Sequence, residues 1–404
     1  MRKLLGVALL VLAVAAIVTV ARDPLYWKRY MLAALYAPTN LPDSFYEPGE
    51  VLEGVDGPEP PRVDPAYEHL SPESLEAAAD HAGKTGTQAL IVGRNGHIVF
   101  ERYWDGGRFD TEADAGAFNA ALAALAVGIA MDDRKIGLAD EPAANYLQEF
   151  RADDRRHITL AHLLSQSSGL AAAGPGAGPW SGASHERFSG DILSECFARK
   201  TVAAPGKKWL QQACDVQLLA RVVERATGEQ YARYLSDRLW KPIGAADARL
   251  ARDHASGVAR ADCCIRARRG DWMRIAEVLA NDGKFQGEQI VTPGWITNML
   301  APSGANAGFG YGVWRGAPFV AEAAQASEPY AAPDTHLLKA AGKTRLWFVP
   351  SMRLTILRIG ANDEADRDWD DSSIPNLIIR GAADFEPRSS QADPKDLSRL
   401  VPKH

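Results

Sequence analysis

Serines and histidines in the middle of the chain have a spacing that could support acyl chemistry. Ser165, Ser167 and Ser168 lie within a few residues of His162, and His157 lies a little further upstream. A serine hydroxyl beside an imidazole base can attack an acyl carbon and form an ester intermediate. Short hydroxyl side chains also cap turns and helix ends. For this stretch the structural role is the stronger interpretation, and catalysis is the alternative.

The standard spacings for nucleophilic chemistry are missing from the sequence. There is no Ser-x-x-Lys, Gly-x-Ser-x-Gly, Tyr-x-Asn or Ser-x-Asn anywhere in the chain. A literal Lys-Thr-Gly at 84–86 precedes the first predicted strand, and we interpret it as a polar turn. A His-Ala-Gly at 81–83 resembles His-x-Gly, but it falls at a predicted helix end and is interpreted as a cap.

The cysteine and histidine spacings predict neither a metal site nor a cofactor. No pair of the four cysteines has Cys-x-x-Cys spacing, and the nine histidines contain no His-Glu-x-x-His. Cys196 and Cys214 could form a disulfide in an oxidising compartment, but cysteine is also a common small core residue. The sequence leaves both interpretations open, and it leaves the state of Cys263 and Cys264 open as well.

The composition is typical of a soluble globular protein. The chain has 404 residues, of which 46% are hydrophobic and 24% charged, and a formal net charge of -6. That length suffices for one large domain or two modest ones, each with its own core. Acidic and basic residues are mixed and no basic block occurs, so a nucleic-acid partner is not expected.

An uncharged apolar run follows the first three residues. Residues 4–21 contain no charged side chain and are long enough to cross a hydrocarbon core at about 1.5 Å per residue. The sequence therefore predicts that residues 1–21 form a signal-anchor helix. This helix would hold the chain in the inner membrane by a single pass, with the domain in the periplasm or outside the cell. Secretion after cleavage behind Thr19-Val20-Ala21 is the alternative.

The rest of the chain divides into an arm, a domain and a tail. Residues 22–70 are rich in proline and aromatics without periodicity and are predicted to be an irregular arm. Residues 71–383 are predicted to form one large domain, and residues 384–404 a polar tail. Ser71 followed by Pro72 marks the first helix of the domain, because serine caps a helix and proline suits its first turn.

The order of predicted elements is sheet, helices, then sheet. Two apolar runs flank Asn95-Gly96, which is a strong hairpin signal. Strand patterns return at 345–349 and 354–359. This order predicts an α/β (α+β) fold, in which an antiparallel sheet is flanked by helices and an all-helical domain is inserted at roughly 113–250. Residues 169–190, rich in glycine, alanine and serine, are predicted to be a long loop that is mobile or borders an active site.

Several segments resemble the beta-lactamase-related serine hydrolases, a group that includes class C beta-lactamases, esterases and 6-aminohexanoate-dimer hydrolases. The stretch ITLAHLLSQSSGL at 158–170 resembles the ITxxHLLxxxSGL signature of that group. Pro205-Gly206, Trp209 and the helix pattern ending at Gly228 resemble its second catalytic block. The resemblance covers roughly residues 71–359 and implies a beta-lactamase/transpeptidase-like fold.

The resemblance also assigns the positions that carry catalysis in that group. A Ser-x-x-Lys opens the central helix there, and the lysine or a nearby tyrosine takes the proton of the serine. In this chain the serine position falls on Ala117, the lysine position on Ala120 and the tyrosine position on Gln211. The third motif, Lys-Thr-Gly or His-x-Gly, is expected near residues 340–342, which are Ala-Ala-Gly. Alanine offers no nucleophile or base, and glutamine is neutral.

These substitutions predict a catalytically inactive homologue, or pseudoenzyme, exposed outside the inner membrane. Its cleft could still bind a cell-envelope small molecule, peptide or ester. Trp180, Trp209 and Trp314 are the candidate ligand-binding residues, although tryptophan is as common in a protein core. The alternative is an active serine hydrolase that cleaves ester or amide bonds with a non-standard nucleophile.

Overall fold

The computed structural model describes residues 14, 18–36, 40–114, 116–176, 178–318, 325–361 and 369–385. Most of the predicted anchor, residues 1–13 and 15–17, lies outside the described residues, and so does nearly all of the predicted polar tail, residues 386–404. Among the helices that are described, none is both long enough and apolar enough to cross a membrane.

The strands of the described chain are, in order, β1 (Gly49–Leu52), β2 (Thr87–Arg94), β3 (His97–Tyr103), β4 (Glu112–Asp114), β5 (Ala248–Ala251), β6 (Ile265–Arg268), β7 (Lys284–Phe285), β8 (Glu288–Gln289), β9 (Trp314–Arg315), β10 (His336–Lys339), β11 (Arg345–Val349) and β12 (Leu354–Gly360). The α-helices are α1 (Pro24–Leu35), α2 (Pro72–Lys84), α3 (Asn119–Asp132), α4 (Leu160–Leu164), α5 (Gly182–Phe188), α6 (Ile192–Phe197), α7 (Ala213–Thr227), α8 (Tyr231–Leu235), α9 (Arg269–Ala280), α10 (Pro293–Leu300) and α11 (Ser373–Arg380). Shorter helical turns are Asp43–Phe45, Pro65–Glu68, Gly116–Phe118, Ala143–Asn145, Gln148–Phe150, Asp154–His157, Ser236–Trp240 and Pro350–Met352.

Six antiparallel strands form the main sheet, in the order β3-β2-β12-β11-β10-β9. The turn between β2 and β3 has Asn95 at φ 50° and Gly96 at φ 81°, as a tight hairpin requires. Strand β12 pairs with β2, so the sheet joins the first and last parts of the domain. The predicted hairpin and the two predicted C-terminal strands are confirmed.

Helices cover both faces of this sheet. Along β2, Leu90 and Val92 belong to one buried cluster and Ala89 and Ile91 to another, because successive side chains of a strand point to opposite faces. Helices α2 and α11 pack together over the first face, and α9 packs on β11 and β12 over the second. The predicted fold class, an antiparallel sheet flanked by helices, is confirmed.

The chain between β4 and β5 is mainly helical, and α3 is its central element. Every residue from Ala121 to Ala130 is buried, and α3 packs against α7. The indole of Trp295 lies directly on Gly128 and donates a hydrogen bond from Nε1 to the carbonyl of Ala124 (3.0 Å). A second sheet, in the order β1-β5-β6-β4, borders this helical part.

The region predicted to be an irregular arm, residues 22–70, contains regular structure. Helix α1 packs against α5, and β1 pairs with β5 in the second sheet. Arg29 of α1 is buried and donates to the backbone carbonyls of Arg252 and Asp253. The prediction was wrong because the partners that hold α1 lie more than 200 residues along the chain, where a local sequence pattern cannot show them.

The predicted long loop at 169–190 is also shorter than expected. Helix α5 occupies most of its second half and is capped by Ser181, whose hydroxyl accepts a hydrogen bond from the backbone N–H of Ser184 (3.1 Å). Glycine is a poor helix former and serine a modest one, so the helix is stabilised mainly by its packing on α1.

The sequence left the state of all four cysteines open, and in the structure they form two disulfides. Cys196 of α6 is bonded to Cys214 of α7, and the adjacent Cys263 and Cys264 are bonded to each other. The first bond closes a loop with a sequence separation of 18 residues. The second closes no loop of chain.

We expect the paired substitution Cys196→Ala with Cys214→Ala to lower the free energy of unfolding by about 3 kcal/mol, because the bond restricts the unfolded chain. Urea denaturation of both proteins measures the difference. The matched control is Cys263→Ala with Cys264→Ala, which removes a disulfide without opening a loop and should cost much less. Equal losses in the two variants would contradict this explanation.

Candidate functional site

The predicted serine and lysine positions lie where helix α3 begins. Ala117 is in the helical turn 116–118, and Ala120 is in the first turn of α3 and half-buried. Strand β10 lies against the 116–118 turn. The side chain of Asn119 is buried and donates from Nδ2 to the carbonyl of Cys263 (2.7 Å). The turn is therefore tied to the segment that leads into β6.

Gly312 brings a third segment to the same place. A Cβ atom on Gly312 would lie 2.4 Å from the carbonyl oxygen of Ala120, and φ of this glycine is 70°. Its N–H donates to the carbonyl of Leu164 at the end of α4 (3.2 Å). Only glycine fits this approach. The start of α3, the end of α4 and the segment entering β9 therefore meet around Ala120.

Three aromatic rings pack together beside this junction, and we call them the aromatic trio: Trp209, Phe309 and Trp314. Their ring centroids are 5.6 Å (Trp209 to Phe309), 5.3 Å (Trp209 to Trp314) and 5.2 Å (Phe309 to Trp314) apart, all with edge-to-face geometry. Two of the three tryptophans proposed from the sequence as ligand-binding residues are thus brought together. Trp180 lies elsewhere, edge-to-face against Trp27 of α1 with a centroid distance of 5.3 Å.

A buried charge cluster lies behind Trp314. The Nζ atom of Lys339 is 4.8 Å from the centroid of the Trp314 ring and 2.8 Å from a carboxylate oxygen of Asp371. Asp371 is fully buried and also accepts from Nε of Arg345 (2.7 Å) and from the indole of Trp369 (2.7 Å). Burial lowers the pKa of Lys339, and the charge of Asp371 opposes that shift.

The segment expected to hold the third motif, residues 340–342, is the turn between β10 and β11. Ala340 packs against the main core, and Gly342 has φ 65° and accepts a hydrogen bond on its carbonyl from Arg358 (2.9 Å). Lys339 immediately precedes this turn, but its amine is engaged by Asp371.

Gln211 and its neighbour Gln212 have opposite environments. The side chain of Gln211, at the predicted tyrosine position, is exposed. Gln212 is buried, and its Nε2 donates to Oγ of Ser168 (3.0 Å) and to Oδ1 of Asp215 (3.1 Å). Its N–H donates to the side chain of Gln166 (2.8 Å). Sequence reasoning missed this network because Gln166 and Ser168 lie 46 and 44 residues before Gln212. The one local signal was the acidic Asp215 within an apolar helix pattern.

Burial raises the pKa of Asp215 to about 7, although its hydrogen bonds with Ser168 and Gln212 partly oppose the shift. The unfolded chain loses this proton near pH 3.9, whereas the folded protein keeps it until about pH 7. The contribution of Asp215 to the free energy of unfolding is therefore largest below the unfolded pKa. It is lost as the pH rises towards 7.

We expect Asp215→Asn to remove this pH dependence. Relative to the variant, the natural protein should lose up to about 4 kcal/mol of unfolding free energy between pH 4 and pH 8. Urea denaturation at a series of pH values measures it, with Asp110→Asn at an exposed position as the control. Parallel pH curves for the natural protein and the Asp215→Asn variant would show that Asp215 does not carry the effect.

The serines proposed as alternative nucleophiles are buried and engaged in local hydrogen bonds. Ser165 donates to the carbonyl of Ala161 (2.7 Å), and its hydroxyl lies 2.9 Å from that of Ser167. Ser168 accepts from the N–H of Leu170 (3.2 Å) as well as from Gln212. These contacts fix the turn after α4, which favours the structural role predicted for them.

His162 is held by a capping box at the start of α4. Its Nδ1 accepts from the N–H of Thr159 (3.1 Å), and its own N–H donates to the hydroxyl of Thr159 (3.3 Å). Burial lowers the pKa of His162, so the ring is neutral and its proton belongs on Nε2. Nε2 of His162 therefore carries a proton and cannot accept one from a serine hydroxyl. His157 is exposed on the turn before α4.

A cavity of about 310 Å³ is lined by His162, Ser165, Ser167 and Tyr311, among other residues. A second cavity, of about 170 Å³, is lined by Trp314, Lys339 and Leu337, among others. The segment 301–316 contributes to the walls of both cavities, and Trp314 of the aromatic trio lines the second.

Comparison with known proteins connects this arrangement to one family. The Beta-lactamase family profile matches residues 73–317 of the chain. A curated relative, the 6-aminohexanoate-dimer hydrolase of Paenarthrobacter ureafaciens, is 25% identical over 230 residues, which is 54% of this chain and 58% of that protein. The chain thus matches a little over half the length of this relative.

Solved structures agree in fold. A Bacillus anthracis protein provisionally named a 6-aminohexanoate-dimer hydrolase has a TM-score of 0.67 at 16% identity, over 89% of this chain and 94% of that one. A penicillin-binding protein homologue from Caulobacter crescentus has a TM-score of 0.57 at 14% identity, over 76% of this chain and 97% of that one. The family match runs from α2 through β9 and covers more than half of the sequence. The chain therefore belongs to the beta-lactamase family of serine hydrolases.

Proposed function

We propose that this protein is a catalytically inactive member of its family that keeps the framework of the site as a binding module. The observation that carries the proposal is the presence of alanine at both 117 and 120, where the buried central helix α3 begins. The packing around this turn supports the proposal: strand β10 lies against the turn 116–118, and Gly312 lies against the backbone of Ala120.

The polar groups around this junction do not replace the missing ones. Asn119 is bonded to the Cys263 carbonyl, Gln212 to Ser168 and Asp215, and Lys339 to Asp371. Each is used to hold structure. In serine hydrolases whose groups act as a unit, loss of the nucleophile costs a factor on the order of 10⁶ in turnover. A protein with alanine at these positions is therefore best explained by a role other than hydrolysis.

The proposed ligand is a peptide or ester of the cell envelope. The cavity of about 170 Å³ is lined by the apolar residues Trp314 and Leu337 together with Lys339. Apolar walls with a few fixed polar groups suit a small amide or ester, because burial provides affinity and the polar groups provide orientation.

We further propose that the domain lies outside the cytoplasm and is attached to the inner membrane by residues 4–21. Two observations support this location. The segment contains no charged side chain, and the domain contains two disulfides, which persist in oxidising compartments.

Activity-based labelling tests the proposal. The full chain is treated with a fluorophosphonate probe and with a fluorescent penicillin, and is expected to remain unlabelled by both. Calorimetry and thermal shift with a panel of muropeptides and short esters are expected to show binding without turnover. A labelled band would contradict inactivity, and a complete absence of heat and thermal shift across the panel would contradict the binding role.

One observation favours the alternative of an active hydrolase with a non-standard nucleophile. His162, Ser165 and Ser167 line the same cavity of about 310 Å³. Against it, Nδ1 of His162 is used in the capping box, and within the described chain no hydrogen bond joins this ring to a serine hydroxyl. Peptide mapping of a labelled protein separates the two functions, because an adduct on Ser165 or Ser167 would establish the alternative.

A further inference from the structure

One face of helix α1 is exposed and mostly apolar. Pro24, Lys28, Met31 and Leu35 follow one another at helical spacing along that face, and all four are exposed. Met31 is 52% exposed and Leu35 71%, and Tyr36, directly after the helix, is 45% exposed. Helices on the surface of globular proteins usually present polar residues to water. Here the outward stripe carries a single charge.

The opposite face of α1 fixes the helix to the domain. Tyr26 is buried and stacks on the ring of His185 in α5, with 4.9 Å between centroids. Arg29 is buried, and its guanidinium donates to the carbonyls of Asp253 (3.2 Å) and Arg252. The orientation of α1 is therefore determined by the domain, and the apolar stripe cannot turn inwards without breaking these bonds.

Trp180 extends the exposed stripe beyond the helix. Its side chain is 68% exposed and meets the ring of Trp27 edge-to-face. We call the six residues the α1 surface: Pro24, Lys28, Met31, Leu35, Tyr36 and Trp180. A grouped exposed surface of large apolar side chains indicates an interaction site, whereas isolated exposed residues do not.

The position of the α1 surface in the chain indicates what covers it. Ala21, the last residue of the uncharged run 4–21, precedes Pro24 by three residues, which span at most about 10 Å. Wherever that run enters a bilayer, α1 must lie next to the boundary. Trp and Tyr side chains are enriched at this boundary, and the exposed cations of Arg22 and Lys28 suit anionic headgroups.

We infer that the α1 surface docks on the lipid bilayer and holds the domain against the membrane in one orientation. The occupant is the interfacial layer of headgroups and upper acyl chains, with the apolar stripe and Trp180 inserted and Lys28 among the phosphates. This inference rests on the proposed membrane attachment through residues 4–21. It adds a second contact, made by the folded domain itself.

Quenching by brominated lipids tests the docking. The full chain is reconstituted in phosphatidylcholine and phosphatidylglycerol vesicles with bromine on the acyl chains, and the loss of tryptophan emission is measured. We expect Trp180→Phe to lose the larger part of the quenched emission. Trp104→Phe is the matched control, because Trp104 is also exposed, at 38%, but packs on Gly83 at the end of α2 and should not be quenched.

A second variant keeps the result interpretable. Met31→Glu with Leu35→Glu changes two exposed side chains, so the fold is retained, and we expect flotation with vesicles to persist while the quenching of Trp180 is lost. Flotation of the natural chain without quenching of Trp180 overturns the docking alone. Failure to float overturns the membrane attachment and the docking with it. Self-association through the α1 surface, with Trp180 protected from bromine, also overturns the docking.

Discussion

Combining Ala117→Ser, Ala120→Lys and Gln211→Tyr is expected to turn an unlabelled protein into one that a fluorophosphonate probe labels at position 117. Residues 117 and 120 are three positions apart where helix α3 begins, and side chains at that spacing share one face of a helix. A lysine there can take the proton of the serine. Because the nucleophile alone accounts for a factor on the order of 10⁶ in turnover, even partial recovery is measurable.

The control is the double variant Ala120→Lys with Gln211→Tyr, which lacks the nucleophile and should stay unlabelled. Peptide mapping of the adduct must find it on residue 117. A triple variant that unfolds at the same temperature as the natural protein, but takes up no probe, would contradict the assignment of these positions. Labelling of the double variant would show that another residue reacts.

Asp371→Ala is expected to lower the free energy of unfolding by about 3 to 5 kcal/mol, because it leaves two cations buried without their counter-charge. Asp371 is fully buried and holds the amine of Lys339 and the guanidinium of Arg345. Both cations remain in the interior when the carboxylate is removed. Chemical denaturation of the two proteins measures the loss.

Two further variants test the explanation. Glu53→Ala breaks an exposed ion pair with Lys241 and should cost less than about 1 kcal/mol. Replacing the whole cluster, by Lys339→Met, Arg345→Met and Asp371→Leu, should recover much of the stability lost in Asp371→Ala, since no unpaired charge remains buried. A triple variant as unstable as the single one would point to lost packing rather than to the charges.

The parts of the fold that the sequence predicted well are those with strong local signals. The Asn95-Gly96 turn needs positive φ at both residues, and few other dipeptides permit it. The cap at Ser71, whose side chain accepts a hydrogen bond from the N–H of Ser74, needs only residues of the first helical turn. The family signature at 158–170 also indicated the fold class, because its leucines and serines lie in one short segment, where all of them are buried.

The parts that the sequence did not predict depend on partners far away in the chain. Arg29 makes α1 part of the domain through carbonyls 223 and 224 residues later. Asp371 pairs with Lys339 and Arg345 across a segment of about thirty residues that shows no motif. Trp180 was grouped with Trp209 and Trp314 because composition cannot distinguish tryptophans that face different surfaces.

Helix α1 begins after the point where a signal peptidase would cut. Cleavage behind Ala21 leaves Asp23 in place, and its carboxylate accepts a hydrogen bond from the N–H of Tyr26 (2.9 Å) at the start of the helix. A shed protein would therefore keep the same fold as the anchored one, with Tyr26 and Arg29 still in their contacts. The two forms would differ in one respect: the shed form would expose the apolar α1 surface to water, where self-association or another apolar partner would be needed to bury it.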